Sequence, residues 1–486
     1  AVQELSQPRA LAALAAGSAL WYLWRLRRRS ALGKFAEVPG LPVIGVLHKV
    51  DTDRFIETLE KWSREYGKEE GIFELSMVGE RMVAFSDWEA CQPILAGRPF
   101  KITRPDGYRN IGLVNKEIGV FFAEGRQWST QRRLVSPGFN AKAIESYLPS
   151  VCTIVENLLG VLRSRVAEGE AANVTELFRK LNADVISKVA FGQDYGALHG
   201  KSTNLDDVMK FMDAFITRAV SPFPYWNIPF LRHLDSGEQA YTNLKKGLSK
   251  LLTDPTAATD ATLLGKLMSV EGEKLTHDEL LGNVFVLFLA GTDTTSHSLA
   301  FAAYELARQP ELQEAVAAEV ARLPAGLAGA RRLDELLLTR ALWLETLRVH
   351  NVAPALDLET QEPIVVKGRT LPPKTPVWLL FREMCRNSAE YRAALGEDFD
   401  AFRPQRWLAP GGGLVECKPL DAIAFGHGAR ACVGKNLANL VGPLVLAEIM
   451  RNFRIERWEG GPLRERTSFV QCADRDVEVR FVARAG

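Results

Sequence analysis

"AFGHGARACVGKNLA", residues 424–438, sets a single cysteine, Cys432, among three glycines directly ahead of a stretch with helical character. Glycines permit a tight loop whose backbone N–H groups can converge on one point. Several chemistries compete for such a segment. Gly426-x-Gly428-x-x-Ala431 has the spacing of a dinucleotide-binding turn, with Asp421–Phe425 as the preceding strand and Glu448 about 20 residues on. Residues 435–452, however, read as one continuous helix, which places Glu448 inside that helix and leaves too few residues for a further βαβ unit. A Walker loop needs glycine where Ala429 stands and Ser or Thr where Asn436 stands. A nucleophilic thiol wants an oriented histidine beside it, and His427, five positions away, gives no sign of one.

A metal-bound thiolate fits every residue of the segment. Arg430 and the helix N-terminus beginning near Gly434 both lower a thiol pKa and favour the anion. A lone cysteine with no partner His or Cys nearby does not make a tetrahedral site. It suits a metal whose other positions are already filled, which means haem. The six cysteines, at 91, 152, 385, 417, 432 and 472, are too sparse and irregular for a disulfide framework or for zinc spacing.

The rest of the composition bounds the class. The chain has 486 residues, 47% hydrophobic and 24% charged, which is ordinary globular material with apolar mass for a large core. A formal net charge of +1 gives no global field for a polyanion, so nucleic acid is not an expected partner. Residues 10–24 (ALAALAAGSALWYLW) form a weakly apolar run ending in aromatics, followed by Arg25, Arg27, Arg28 and Arg29. That order suits a membrane anchor whose C-terminal side faces the cytoplasm, although a full span wants about 20 apolar residues. The Pro39-Gly40-Leu41-Pro42 break then separates residues 1–38, an anchor and basic linker, from a catalytic body over 39–486.

Within that body, residues 71–88 alternate like a hairpin turning at Gly79-Glu80, and the pattern from Ile144 to about Lys250 is mostly helical. Ser221–Phe230, rich in proline and aromatics, interrupts it. Thr276-x-x-Glu279 is a capping box ahead of a long apolar run that must stop near Pro310, giving a helix roughly 50 Å long. Short strands are expected at 364–366, 377–380 and 477–482. The fold class is therefore mainly α with small β-sheets (α+β).

Four further motifs are weak individually. Ala290-Gly291-Thr292-Asp293-Thr294-Thr295 puts poor helix formers and a carboxylate in the middle of the long apolar helix, which fits a ligand-lined stretch or a polar inset. Glu345-x-x-Arg348 and Trp128-x-x-x-Arg132 are common same-face pairs on helices, and Pro404-x-Arg406-Trp407 is a proline-broken loop.

Taken with the cysteine segment, these motifs acquire an order. Phe425-x-x-Gly428-x-x-x-Cys432-x-Gly434 resembles the haem-binding signature of the cytochrome P450 (haem-thiolate) monooxygenases, and the four motifs precede it in that family's sequence. The resemblance runs from Pro39 to the C-terminus. It implies the family's fold, with the long central helix crossing the haem, and haem b held by Cys432 as axial thiolate. It further implies that Phe425, Gly428 and Gly434 shape the cofactor loop and that Arg430, Trp128 and Arg132 pair with the haem propionates. Glu345, Arg348 and Arg406 become a structural ion-pair triad. Asp293 and Thr294 become an acid–alcohol pair that relays protons while dioxygen is cleaved. An intact pair favours a true monooxygenase over a peroxide-dependent or isomerising haem-thiolate enzyme, the alternative reading.

The implied reaction inserts one oxygen atom of O2 into a lipophilic small molecule such as a fatty acid, sterol or terpenoid. No flavin or iron–sulfur motif is present, so electrons from NADPH or NADH are expected through a flavoprotein reductase or ferredoxin. That partner would dock by charge on Arg430, Lys435 and Arg133. The expected location is the endoplasmic reticulum membrane with a cytoplasmic catalytic domain; an organelle is the alternative. Arg104 and Arg109 lie in the segment that caps the pocket by resemblance, and the aromatic stretch Phe211, Phe215 and 223–230 suits a lipophilic access route. Four positions depart from the family pattern: Asn351 where proline is common, Leu358 where a basic residue reaches a propionate, Asn387 after Arg386, and Val441 early in the helix after the cysteine.

Overall fold

The computed structural model describes residues 35–484 apart from 78, 106–112, 114–117, 194, 201–204, 222–223, 254–258, 260, 270–273, 417–423 and 457–459. The apolar run at 10–24, its arginine cluster, Arg109, Phe223 and Cys417 lie outside the described residues. No helix among the described residues is long and apolar enough to cross a membrane. The chain divides into two compact units, 1–105 with 355–387, and 106–354 with 388–486.

The first unit is built on a six-stranded sheet. Its strands are β1 (Ala36–Glu37), β2 (Ile72–Met77), β3 (Glu80–Phe85), β4 (Ile102–Thr103), β5 (Ala355–Thr360) and β8 (Pro376–Leu380), in the order β1-β2-β3-β8-β5-β4. A separate small pair, β6 (Ile364–Val366) and β7 (Arg369–Leu371), falls between β5 and β8 in the chain. The expected hairpin is β2–β3, registered from Ile72 opposite Phe85 to Met77 opposite Glu80. Gly79 allows its turn with φ +94°, a conformation that costs other residues. Helix α1 (Phe55–Tyr66) buries Leu59 and Trp62 with Phe73, Leu75 and Ala84 of the sheet. Leu358 is fully buried on β5, which explains an apolar residue at that position. Asn387 donates through its amide to Ser86 O at 3.0 Å and so joins two segments of this unit.

The second unit is predominantly helical. In chain order come α2 (Gly125–Val135), α3 (Ala141–Glu168), α4 (Val174–Phe191), α5 (Leu205–Val220), α6 (Gly237–Thr253), α7 (His277–Arg308), α8 (Pro310–Val320), α9 (Leu337–Val349) and α10 (Lys435–Asn452). Helix α7 starts as its sequence dictates. The Thr276 hydroxyl accepts from the Glu279 N–H while the Glu279 carboxylate accepts from the Thr276 N–H. It runs 32 residues and gives way at Pro310, the first residue of α8. Helix α7 packs closely on α4. A Cβ at Gly291 would lie 2.5 Å from Ile186 Cδ1, so this mid-helix glycine is what lets the two helices approach. Helix α10 follows the cysteine segment directly and packs against α7, α8 and α9. One apolar core, including Leu158, Phe178, Phe285, Leu299, Trp343 and Val445, joins these helices, and Val441 is buried in it.

The mainly α architecture with small sheets matches the sequence expectation. Ala424 and Phe425, which the rejected dinucleotide reading would have put at the end of a strand, have helical backbone, while 421–423 lie outside the described residues. A short apolar run bounded by glycine carries no periodicity to separate the two conformations.

Candidate active site

The cysteine segment is a tight loop leading into α10. Gly426 and Gly428 take φ of +71° and +72°, Gly428–Arg430 forms one turn of 3-10 helix, and the Cys432 N–H donates to Phe425 O at 2.7 Å. Among the free cysteines with a described environment Cys432 is the exposed one; Cys91, Cys385 and Cys472 are buried and Cys152 is half-buried. The sulfur is open on one side yet has enough protein around it that burial pushes the thiol up. Working against burial are the N–H groups of Gly434 and Lys435, both hydrogen-bonded to the sulfur, and the charges of Arg132 and Lys435. Two amides at a helix N-terminus aimed at one sulfur are a site for an anion.

Helix α2 brings Trp128 and Arg132 towards this loop. Arg430 lies with its guanidinium 4.9 Å from the centre of the Trp128 ring. Burial lowers the Arg132 pKa while the neighbouring Cys432 holds it up. Arg430 also has a partner that its motif did not suggest. Its Nη2 donates to Glu124 Oε1 at 2.7 Å, and the two side chains are only 3% and 8% exposed. The motif gave no hint of this because the two residues are 306 positions apart. Arg430 is thus buried and ion-paired, whereas Arg133 of the expected docking patch is exposed.

Between Leu281 and Ala307, helix α7 is buried except at Ala290, Gly291 and Thr294, which share one half-open face. Thr294 Oγ1 donates back to Ala290 O at 2.7 Å. Asp293 is buried, with its Oδ1 3.3 Å from His297 Nε2 and 3.7 Å from Arg179 Nε on α4. Burial pushes the Asp293 carboxyl up, but His297 and Arg179 outweigh it and leave the pKa below the ordinary carboxylate value. His297 was legible as an i,i+4 neighbour of Asp293; Arg179, on another helix, was not.

Glu345, Arg348 and Arg406 come together in the interior. Arg348 grips Glu345 with Nε and Nη2, both at 2.7 Å, and Arg406 Nε reaches Glu345 Oε1 at 3.1 Å. The Trp407 indole donates to Glu345 Oε2 at 2.9 Å and the Arg403 N–H to Oε1 at 2.8 Å. The guanidiniums spend their remaining donors on the carbonyls of Leu395, Asp398, Phe399 and Ala401. This cluster ties α9 to the 395–407 segment. Asn351, just beyond α9, does with a side chain what proline does by ring closure, since its Oδ1 accepts from the Ala353 N–H at 2.8 Å and sets a turn.

A family model described as cytochrome P450 matches residues 36–473. The chain belongs to the cytochrome P450 family. Curated relatives agree. The chain is 28% identical to the human protein named 25-hydroxyvitamin D-1 alpha hydroxylase, mitochondrial, over 76% of each chain. It is 26% identical to cytochrome P450 27C1 of Aquarana catesbeiana, over 89% of this chain and 83% of the relative. It is also 26% identical to the cholesterol side-chain cleavage enzyme, mitochondrial, of Capra hircus, over 75% and 72%. The protein is accordingly an oxidoreductase of the monooxygenase class.

Cytochrome P450 membership implies haem, and the residues fit it. An exposed thiol with two backbone N–H groups trained on it, beside Arg132, is the donor set of a single thiolate ligand. Four carboxylates or histidines are not needed for such a ligand set, and no group of three or more His, Cys, Asp or Glu that could hold a metal ion occurs among the described residues.

Proposed function

We propose that this chain inserts one oxygen atom of O2 into a sterol-like lipophilic molecule, with electrons delivered by an external redox partner. The observation that carries the reading is the half-open face of α7. Between Leu281 and Ala307, where the helix is otherwise buried, Ala290, Gly291 and Thr294 are left half-open, with Asp293 held just behind them and its carboxyl pKa lowered. Cys432 would hold haem, with Trp128 and Arg132 on its propionates and Arg430 bracing the loop through Glu124. Bound haem would supply the activation of dioxygen. The protein's share is to position substrate, to keep the Asp293–Thr294 step available for proton delivery and to exclude bulk water.

The names of the relatives favour sterol-like substrates over fatty acids, since two of them act on vitamin D and cholesterol by name. Half-buried Phe121 and Phe469 and buried Phe122 and Phe215 pack into one aromatic group, a surface suited to a rigid hydrocarbon. The mitochondrial relatives favour the organellar location and a ferredoxin as electron donor. Lys435 and Arg133 would take the acidic partner, giving turnover that weakens as salt rises.

The test is turnover of sterol and secosteroid candidates with isotopically labelled dioxygen, NADPH, ferredoxin reductase and ferredoxin. One labelled oxygen atom per product molecule is expected. Product formed equally well from a hydroperoxide, without reductant or O2, would replace the monooxygenase reading with the peroxide-dependent one.

A further inference from the structure

One half-buried histidine lies outside the machinery described above. His350 closes the C-terminal end of α9, and its ring is stacked on Phe301 of α7 with centroids 4.4 Å apart and planes 5° from parallel. Both ring nitrogens face carboxylates. Nε2 is 3.1 Å from Glu305 Oε1 on α7, and Nδ1 is 3.1 Å from Glu465 Oε1. Glu465 opens a hairpin of two strands, Glu465–Thr467 and Gln471–Ala473. A neutral imidazole has one donor and one acceptor, so it satisfies one of these carboxylates and opposes the other; an imidazolium donates to both.

Two further hydrogen bonds run from the hairpin segment to the helical body. The Gln471 N–H donates to Val352 O at 2.9 Å, and the Leu463 N–H just ahead of the hairpin donates to the Tyr304 hydroxyl at 3.2 Å. Its tip carries Phe469, whose ring lies 6.1 Å from that of Phe121 and 5.2 Å from that of Phe215. The hairpin therefore has one end on the His350 site and the other in the aromatic group.

We propose that His350 is a positioning residue whose proton latches the 465–473 hairpin to α7, so that the hairpin is held when the imidazole is charged and released when it is neutral. The charged groups around the ring are few. Glu305 approaches from α7, with Arg308 and Gln309 on its oxygens at 3.3 and 3.4 Å; Glu465 approaches from the hairpin, with Gln471 Nε2 on its other oxygen at 3.3 Å. From the 402 segment the ring meets Phe402, and from α7 also Tyr304. Burial drives the His350 pKa down, but the two carboxylates outweigh it and leave it raised. A group whose pKa is raised in the closed state favours closure at low pH, and that contribution is lost as pH rises through the raised value. The hold on Phe469, and with it the shape of the aromatic group, then depends on pH without any change at Cys432, Asp293 or Thr294.

Residue-level hydrogen exchange of the haem-loaded enzyme tests this. The Gln471 and Leu463 amides report docking of the hairpin, because both donate to the body across its base. Protection, normalised for the intrinsic pH dependence of exchange, is expected to fall about tenfold or more between pH ~6 and pH ~9, the size of losing one hydrogen bond to a charged group. Amides in the centre of α7 serve as the internal standard and should not change. In Glu465→Gln, a mild change at the hairpin, protection should be low at every pH and the pH dependence absent; His350→Gln should behave alike. Protection of Gln471 and Leu463 that is flat with pH in the wild type, or a fall that persists in either variant, would overturn the latch. The readout does not involve turnover, so it stands or falls separately from the substrate proposal.

Discussion

Glu345→Gln is the sharpest structural perturbation available in this chain. Five N–H groups converge on the Glu345 carboxylate: Nε and Nη2 of Arg348, the main chain of Arg403, Nε of Arg406 and the Trp407 indole. The side chains of Glu345 and Arg348 are 0% exposed and that of Arg406 is 1%, so solvent does not screen the interaction. An amide has the same shape but no charge, and its NH2 must face one of those donors. Two buried guanidiniums then lose this counter-ion, and the Asp398 that Arg406 also reaches is 40% exposed and divided with Arg403. Removing one partner of a buried pair costs about 3–5 kcal/mol, against total stabilities of about 5–15 kcal/mol. With a denaturant slope of about 3 kcal/mol per M, the urea midpoint should drop by about 1 M or more. The assay is urea unfolding followed by circular dichroism alongside haem absorbance. Trp407→Phe, which removes one hydrogen bond to the same carboxylate, should cost about 1.5–3 kcal/mol and supplies a value if Glu345→Gln yields no folded protein. A Glu345→Gln protein within about 1 kcal/mol of the wild type would refute the reasoning, because the charge would then not be what holds the cluster.

Three further outcomes follow from the same coordinates. Thr294→Ala removes the hydroxyl from the half-open face of α7 and should lower product formed per electron consumed while raising peroxide, with folding unchanged; unaltered coupling would remove Thr294 from proton delivery. Asp293 has a depressed pKa, so the stability it contributes is present above the unfolded value near 3.9 and is lost as pH falls through the lower folded value. The urea midpoints of wild type and Asp293→Asn should therefore differ by a constant amount from neutral pH to about pH 5 and converge below about pH 4; convergence already near pH 6 would contradict the depressed Asp293 pKa. Gly442→Ala places a Cβ 2.6 Å from the Trp343 ring between α9 and α10 and should cost about 1–3 kcal/mol, read as a lower melting temperature. A neutral result there would mean that Trp343 can give up its Nε1 hydrogen bond to Asn439 and move without penalty.

The parts of this molecule that were legible from sequence are those fixed by short-range rules. The Thr276–Glu279 capping box, the Gly79 turn and the helix over 435–452 are local, and each formed where its residues required. The motifs around Cys432, Asp293 and Glu345 could be found because their spacing is local too. Their partners could not. Glu124 and Arg430, Arg179 and Asp293, and His350 with Glu305 and Glu465 join different elements, and no periodicity in one segment encodes a contact in another. The departures at Asn351 and Leu358 acquire physical sense only once the Asx turn and the buried face of β5 are seen.

The central claim is that Cys432 is the thiolate that holds haem iron. Its most direct test is the carbon monoxide difference spectrum of the reduced, haem-loaded protein, recorded for the wild type and for Cys432→Ala at equal haem content. The wild type should show the thiolate-type band and Cys432→Ala should lack it. A thiolate-type band that survives in Cys432→Ala would contradict the assignment.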